Sequence, residues 1–236
     1  MVDIGTNIKS IQRRFHNIDY SDVPYKAGYE ETEAKYRKIR DAMLVYMERI
    51  ETLMNYEHGG KTMKTIMHGL TTIGNRLQTS LFKTDDFYIQ TGLVLEEMDK
   101  LMDEDASRKS YATALKKIGE AKEEFNRTLV TELDNLKEQA KIAGVIDYCR
   151  VKLKNTRYDL AKLKKKFDAD PNSKADLENK FNGLVEDTEK QMKNFLGKGE
   201  DGSNSVSQSI KNILKAHFKF SETECEVLKE SHSKIK

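Results

Sequence analysis

The chain has 236 residues, 37% of them apolar and 34% charged, with 13 glycines, two prolines and a net charge of +2. So much charge suits a long helical object with much surface per residue, and so little Gly and Pro excludes collagen, Pro-rich disorder and a turn-rich all-β domain. No apolar run approaches the roughly 18–20 residues that cross a bilayer, no signal-peptide core opens the chain, and two cysteines, Cys149 and Cys225, imply a reducing compartment rather than a disulfide framework.

At the N-terminus Ile4, Ile8, Ile11, Phe15 and Ile18 recur at steps of four, three, four and three, with Lys9, Arg13 and Arg14 on other faces. This is a short basic amphipathic helix, and with the polar linker that ends near Pro24 it makes up residues 1–23. It can dock on the protein's own core or fold in a membrane interface with its Ile/Phe face buried. Burying four such side chains releases about 6–10 kcal/mol, much of which ordering takes back.

From Tyr29 the apolar positions run Tyr36, Ile39, Met43, Tyr46, Ile50 and Leu53, the spacing of a helix seam. His58-Gly59-Gly60 weakens the helix, and the pattern resumes from Met63 to Leu81. One bent helix over about 28–82 follows. The stretch 84–105 is acidic and reads as a connection holding one short helical piece (Leu93, Leu95, Met98, Leu101). A second long helix is expected over about 106–167. Its stripe runs from Tyr111, Leu115, Ile118 and Phe125 to Leu160, Leu163 and Phe167, with Cys149 on it as a buried, inert thiol. Pro171 and a capping Ser173 open a third helix over about 173–235, interrupted by the Gly-rich cluster at 197–204. Its stripe is Leu177, Phe181, Leu184, Met192 and Phe195, then Val206, Ile210, Ile213, His217, Phe220 and Leu228, with Cys225 also placed on it. The fold class is therefore all-α: three long antiparallel helices with a core thin enough to favour a dimer.

No catalytic constellation emerges. Gly59-Gly60-Lys61-Thr62 imitates a P-loop ending, but Asn55 stands where the first glycine belongs and no strand precedes it. The five histidines form neither His-x-x-x-His nor Glu-x-x-His. No enzyme, metal or cofactor is expected. The strongest charge signal is at 150–166, where Arg150, Lys152, Lys154, Arg157, Lys162, Lys164, Lys165 and Lys166 face Asp159 alone. A helix C-terminus favours cations only over its last turn, whereas this run covers four. Three readings stay open: a solvated helix end, lipid headgroups, or nucleic acid. The near-neutral whole and the lack of a binding module weigh against nucleic acid.

Several stretches resemble the BAR domain family, most closely its N-BAR, endophilin-like branch. Tyr111-Ala112-Thr113-Ala114-Leu115-Lys116-Lys117-Ile118-Gly119-Glu120-Ala121 resembles that family's opening of helix 2. Lys152 to Asp159, followed by Lys162 and Lys164-Lys165-Lys166, resembles its basic tip. Ala216-His217-Phe218-Lys219-Phe220 resembles its last helix, and Ile11-Gln12-Arg13-Arg14-Phe15-His16 its N-terminal helix. The resemblance implies a crescent-shaped homodimer of three-helix coiled-coil arms over 24–236 that binds anionic phospholipid membrane and senses or generates curvature in vesicle trafficking or endocytosis. It implies a membrane-binding tip of Lys162, Lys164, Lys165 and Lys166, with Lys152, Lys154 and Arg157 facing the membrane. It also implies a membrane role for Ile4, Ile8, Lys9, Ile11, Arg13, Arg14 and Phe15. No SH3 domain is expected, and the location implied is cytoplasmic and peripheral to membrane, with trafficking or cytoskeletal proteins as further partners. The rival reading is a helical protein-interaction scaffold, such as a small-GTPase adaptor, with no membrane remodelling of its own.

Overall fold

A computed structural model describes residues 11, 13, 18–54, 86–102, 105–167, 170–197 and 205–234. Every regular element among them is a helix, and none is a strand. The helices are α1 (Tyr29–Leu53), α2 (Phe87–Leu101), α3 (Ala106–Lys164), α4 (Pro171–Phe195) and α5 (Ser205–His232). The all-α class holds, but the three-helix plan becomes five helices among the described residues. The continuation of the first helix from Met63 to Leu81 lies outside the described residues. The acidic connection contains a full 15-residue helix, α2. The third helix is two, α4 and α5.

Local chemistry sets these limits. Asp86 caps α2 by accepting the Ile89 amide at 2.9 Å. Asp105 accepts the Ser107 amide at 2.8 Å as α3 begins. At α4 the cap is Asp170, not Ser173: Asp170 accepts the Ser173 amide at 3.0 Å and the Ser173 hydroxyl at 2.8 Å. Pro171 sits in the first turn of α4, where its missing N–H costs nothing. Gly197, just past α4, has φ of +70°, a conformation that only glycine adopts without strain.

The chain divides into two compact units: Met1–Leu44 with Lys137–Val206, and Val45–Leu136 with Ser207–Lys236. α3 runs through both. Its inward positions keep an unbroken three-four alternation: Leu115, Ile118, Lys122, Phe125, Leu129, Glu132, Leu136, Gln139, Ala143, Ile146, Arg150, Leu153, Arg157, Leu160, Lys164. All are buried except Gln139, Arg157 and Lys164, which are half-buried. This is a heptad seam, the pattern that lets long helices pack along their length.

In the first unit α1 lies antiparallel to α3, with Tyr36 Oη donating to the Ala143 carbonyl at 2.8 Å. α4 returns antiparallel to α3 and stacks Phe195 edge-on against Tyr36, ring centroids 5.3 Å apart. The inward positions of α4 are Phe181, Val185, Thr188, Met192 and Phe195, again at steps of four and three.

In the second unit α5 lies antiparallel to α3. Phe125 stacks on Phe220 at 5.6 Å and on His217 at 5.1 Å. Glu132 accepts from Asn212 at 2.7 Å and from Asn135 at 3.0 Å. α2 packs antiparallel on α3 through close backbone approach. A Cβ at Gly119 would stand 2.4 Å from Ile89 Cγ1 and 2.6 Å from Asp86 Oδ1. At Gly92 it would stand 2.9 Å from the Ala112 carbonyl. Asp99 pairs with Arg108 at 3.2 Å and Glu96 with Lys116 at 2.7 Å along the same face.

Two glycines of α3 therefore make opposite predictions. Gly119→Ala pushes on Ile89 and on the Asp86 cap, and destabilises the second unit by about 1–3 kcal/mol. Gly144 is exposed with nothing within 4 Å of its would-be Cβ. Gly144→Ala stabilises by about 0.5–1 kcal/mol through helix propensity. Urea unfolding followed by circular dichroism checks both, and equal effects contradict the close approach at Gly119.

Candidate functional site

The basic run of α3 is two sets of side chains with different fates. Arg150, Arg157 and Lys164 fall every seven residues and occupy the inward seam. Lys154 lies one turn after Arg150 beside the same seam. A charge on such a seam needs a partner, since an unanswered buried ion is costly.

The partners come from α1 and from α3 itself. Glu33 accepts from Arg150 Nε at 2.9 Å and also from its Nη2. Lys154 Nζ lies 2.9 Å from the same carboxylate. Arg150 Nη1 donates to Asp147 at 2.6 Å, and Arg40 donates to the other oxygen of Asp147. Tyr36 Oη donates to Asp147 at 3.2 Å, closing the network. The Arg150 and Glu33 side chains are only 9% and 13% exposed. Burial by itself raises the Glu33 carboxyl, but hydrogen bonds from Lys154 and Arg150 outweigh it and hold the group below the ordinary glutamate value. Burial by itself lowers Arg150, but Glu33 and Asp147 outweigh it and hold the guanidinium above its ordinary value.

Arg157 fastens the segment that precedes α1. It donates to the Val23 carbonyl at 2.8 Å. Its guanidinium lies over the Tyr25 ring at 4.1 Å and the Tyr20 ring at 4.7 Å. Lys164 donates to the Asp22 carbonyl at 3.1 Å and pairs with Glu178 of α4 at 2.9 Å. Arg13 donates to Asn155 of α3 at 3.2 Å. Of the expected tip and membrane-facing residues, Lys154, Arg157 and Lys164 are thus engaged within the first unit, as is Arg13 of the N-terminal set.

Lys152, Lys162, Lys165 and Lys166 are exposed. Lys152 and Lys162 project from α3 away from its seam, and Lys165 and Lys166 directly follow its end. Phe167 beside them is fully exposed. Ile11 is 55% exposed. Ile4, Ile8, Lys9, Arg14 and Phe15 lie outside the described residues. The thiols differ from expectation too: Cys149 is half-buried and Cys225 is exposed. Among the described residues no group of His, Cys, Asp and Glu has a metal-holding arrangement. Among them also, no helix is long and apolar enough to cross a membrane.

No family model matches the chain. Spore wall protein 12 of Encephalitozoon cuniculi (strain GB-M1) is 30% identical over 229 residues, which cover 94% of this chain and 95% of that protein. Spore wall protein 12 of Nosema bombycis (strain CQ1 / CVCC 102059) is 30% identical over 210 residues, covering 87% and 91%. Spore wall protein 12 of Enterocytozoon bieneusi (strain H348) is 28% identical over 218 residues, covering 90% and 92%.

The chain belongs to the spore wall protein 12 family. This overturns the assignment to the BAR family and the curvature-scaffold function built on it. The small-GTPase adaptor reading has no support either, and the cytoplasmic, membrane-peripheral location falls with them. The short stretches that carried the resemblance have packing roles in this fold. Gly119 lets α2 approach α3, and Phe220 meets Phe125. Arg157 holds Val23 and Tyr25.

Glu33, Arg40 and Asp147 were absent from the sequence-derived site, yet Glu33 and Asp147 answer its cations and Arg40 braces Asp147. Their signal was spacing: Glu33 and Arg40 fall between Tyr29, Tyr36 and Met43 at steps of four and three, on the inward side of α1. The apolar Ile39, placed in the seam by its hydrophobicity, is 41% exposed.

The sign of the acid response follows from Glu33. Its folded-state value is lowered, so its contribution is present above the unfolded value, near 4.5, and is lost as pH falls through the folded value. Glu33→Gln therefore costs about 2 kcal/mol at pH 7 and flattens the loss of stability between pH 5 and pH 3. Urea midpoints of the two proteins across that range check this, and parallel pH curves contradict it.

Proposed function

We propose that the chain is a structural, non-enzymatic component of the spore wall, located at the cell surface. The observation that carries this reading is the near-complete overlap with proteins named as wall components in three organisms. The alignment takes in residues of both compact units and is not confined to one segment. The architecture suits a load-bearing role. Long helices joined along continuous seams, with charged seam positions tied by hydrogen bonds, resist local opening better than loops on a small core do.

Immunogold labelling of sectioned spores tests the proposal. The expected result is gold concentrated over the wall, retained after the spore contents are emptied. Gold confined to internal vesicles or cytoplasm contradicts it.

A further inference from the structure

We infer that the outward lysines at the end of α3 form a binding surface for an acidic polysaccharide. The inference rests on the wall reading above for its choice of polymer, and on the structure for its choice of residues.

The basic run divides by residue type. Both arginines of the run, Arg150 and Arg157, are spent on fixed partners: Glu33 and Asp147 for one, the Val23 carbonyl and two tyrosine rings for the other. Arginine suits such sites because its planar fork holds two partners at once. What remains outward is lysine alone. Lys152, Lys162, Lys165 and Lys166 are exposed, and of these Lys165 alone has an acidic neighbour among the described residues, Asp19, whose carboxyl it helps to lower after the hydrogen bonds from Ser21. Lys152 and Lys162 lie ten residues apart, about 15 Å along the helix axis. Lys165 and Lys166 extend the set past the helix end. Lys165 and Lys166 are neighbours and repel one another, and a helix C-terminus accounts for the last turn only. The surface therefore carries a local excess of positive charge beside the end of a long helix.

The kind of charge fits a polymer better than a small anion. Lysine ammonium groups are point charges on flexible stems, and these four are spread along the surface instead of converging on one point. Such an array has no means of fixing one phosphate or carboxylate. It binds a chain of repeated anionic groups by summed attraction, with affinity that falls steeply as salt rises. Phe167, fully exposed beside Lys166, adds an apolar plate on which the C–H face of a sugar ring can rest. A wall is a polymer matrix, and a protein that stays within it needs a surface that grips the polymer. Carboxylated or sulfated sugars supply the charge that these lysines lack.

The test uses the purified full chain on immobilised heparin as the sulfated probe and on polygalacturonate as the carboxylated one. Phosphatidylserine vesicles and duplex DNA serve as competing classes of anion. The expected result is binding to at least one polysaccharide at low salt and release as salt rises. The quadruple variant Lys152→Gln, Lys162→Gln, Lys165→Gln and Lys166→Gln should bind at least tenfold more weakly, with unchanged circular dichroism. A control variant removes the same charge at four other exposed positions: Lys180→Gln, Lys190→Gln, Lys211→Gln and Lys229→Gln. It should bind within twofold of the parent.

Equal weakening in both variants overturns the inference, because net charge alone would then explain binding. Binding to neither polysaccharide overturns it, as does tighter binding to vesicles or DNA than to both. The immunogold result is independent of these outcomes: a chain found in the wall that fails to bind leaves the wall reading standing and removes only the lysine surface.

Discussion

The structure depends on one constraint: the inward seam of α3 keeps a three-four alternation from Leu115 to Lys164 although five of its positions are charged. Lys122, Glu132, Arg150, Arg157 and Lys164 each occupy a place where an aliphatic side chain would ordinarily sit. A buried ion of this kind is tolerated only with a close partner of opposite charge or a set of oriented dipoles. The rest of the fold supplies them. α1 brings Glu33, α5 brings Asn212, α4 brings Glu178, and the segment before α1 brings its carbonyls. Lys122, 1% exposed, lies 5.6 Å over the Phe125 ring and 5.5 Å over the Phe220 ring. Charged seam positions add little net stability over apolar ones, but they set register. A helix slipped by one turn leaves Arg150 without Glu33 and Glu132 without Asn212.

This constraint explains what was legible in the sequence. Helical class followed from composition and period. Positions such as Phe125, Leu153, Leu160, Phe181, Met192 and Phe220 could be read because apolarity and spacing agree there. The seams of α1 and α5 were harder, because apolarity and burial part company. On α5 the inward residues are Val206, Ser209, Ile213 and Phe220, while Ile210 is 44% exposed and Phe218 66%. A reading that follows hydrophobicity selects Ile210, one helical step from the small Ser209 that the close packing takes. The α2–α3 contact was hidden for a related reason. Its determinants are the missing side chains of Gly92 and Gly119, which carry no hydrophobic signal.

The basic run shows how the same ambiguity misdirects a functional reading. In sequence, eight cations within seventeen residues look like one electropositive surface. In the fold, four of them (Arg150, Lys154, Arg157 and Lys164) neutralise or fasten groups of the first unit, and four remain outward. Resemblance through a polylysine stretch therefore carried weight that half of its residues do not support. The near-full-length relationship to the spore wall protein 12 relatives takes in the whole chain, whereas the resemblance through the basic run rested on residues that the fold divides between two uses.

The central claim, that inward charges on α3 are held by fixed partners that set the packing, is tested most directly by a double-mutant cycle between Arg150 and Glu33. Unfolding free energies are needed for the parent, Arg150→Met, Glu33→Gln and the double variant. The account predicts a coupling above about 1 kcal/mol, with the double variant less damaged than the sum of the single ones. Additive losses within about 0.3 kcal/mol would contradict it and leave Arg150 as a surface cation that the fold does not need.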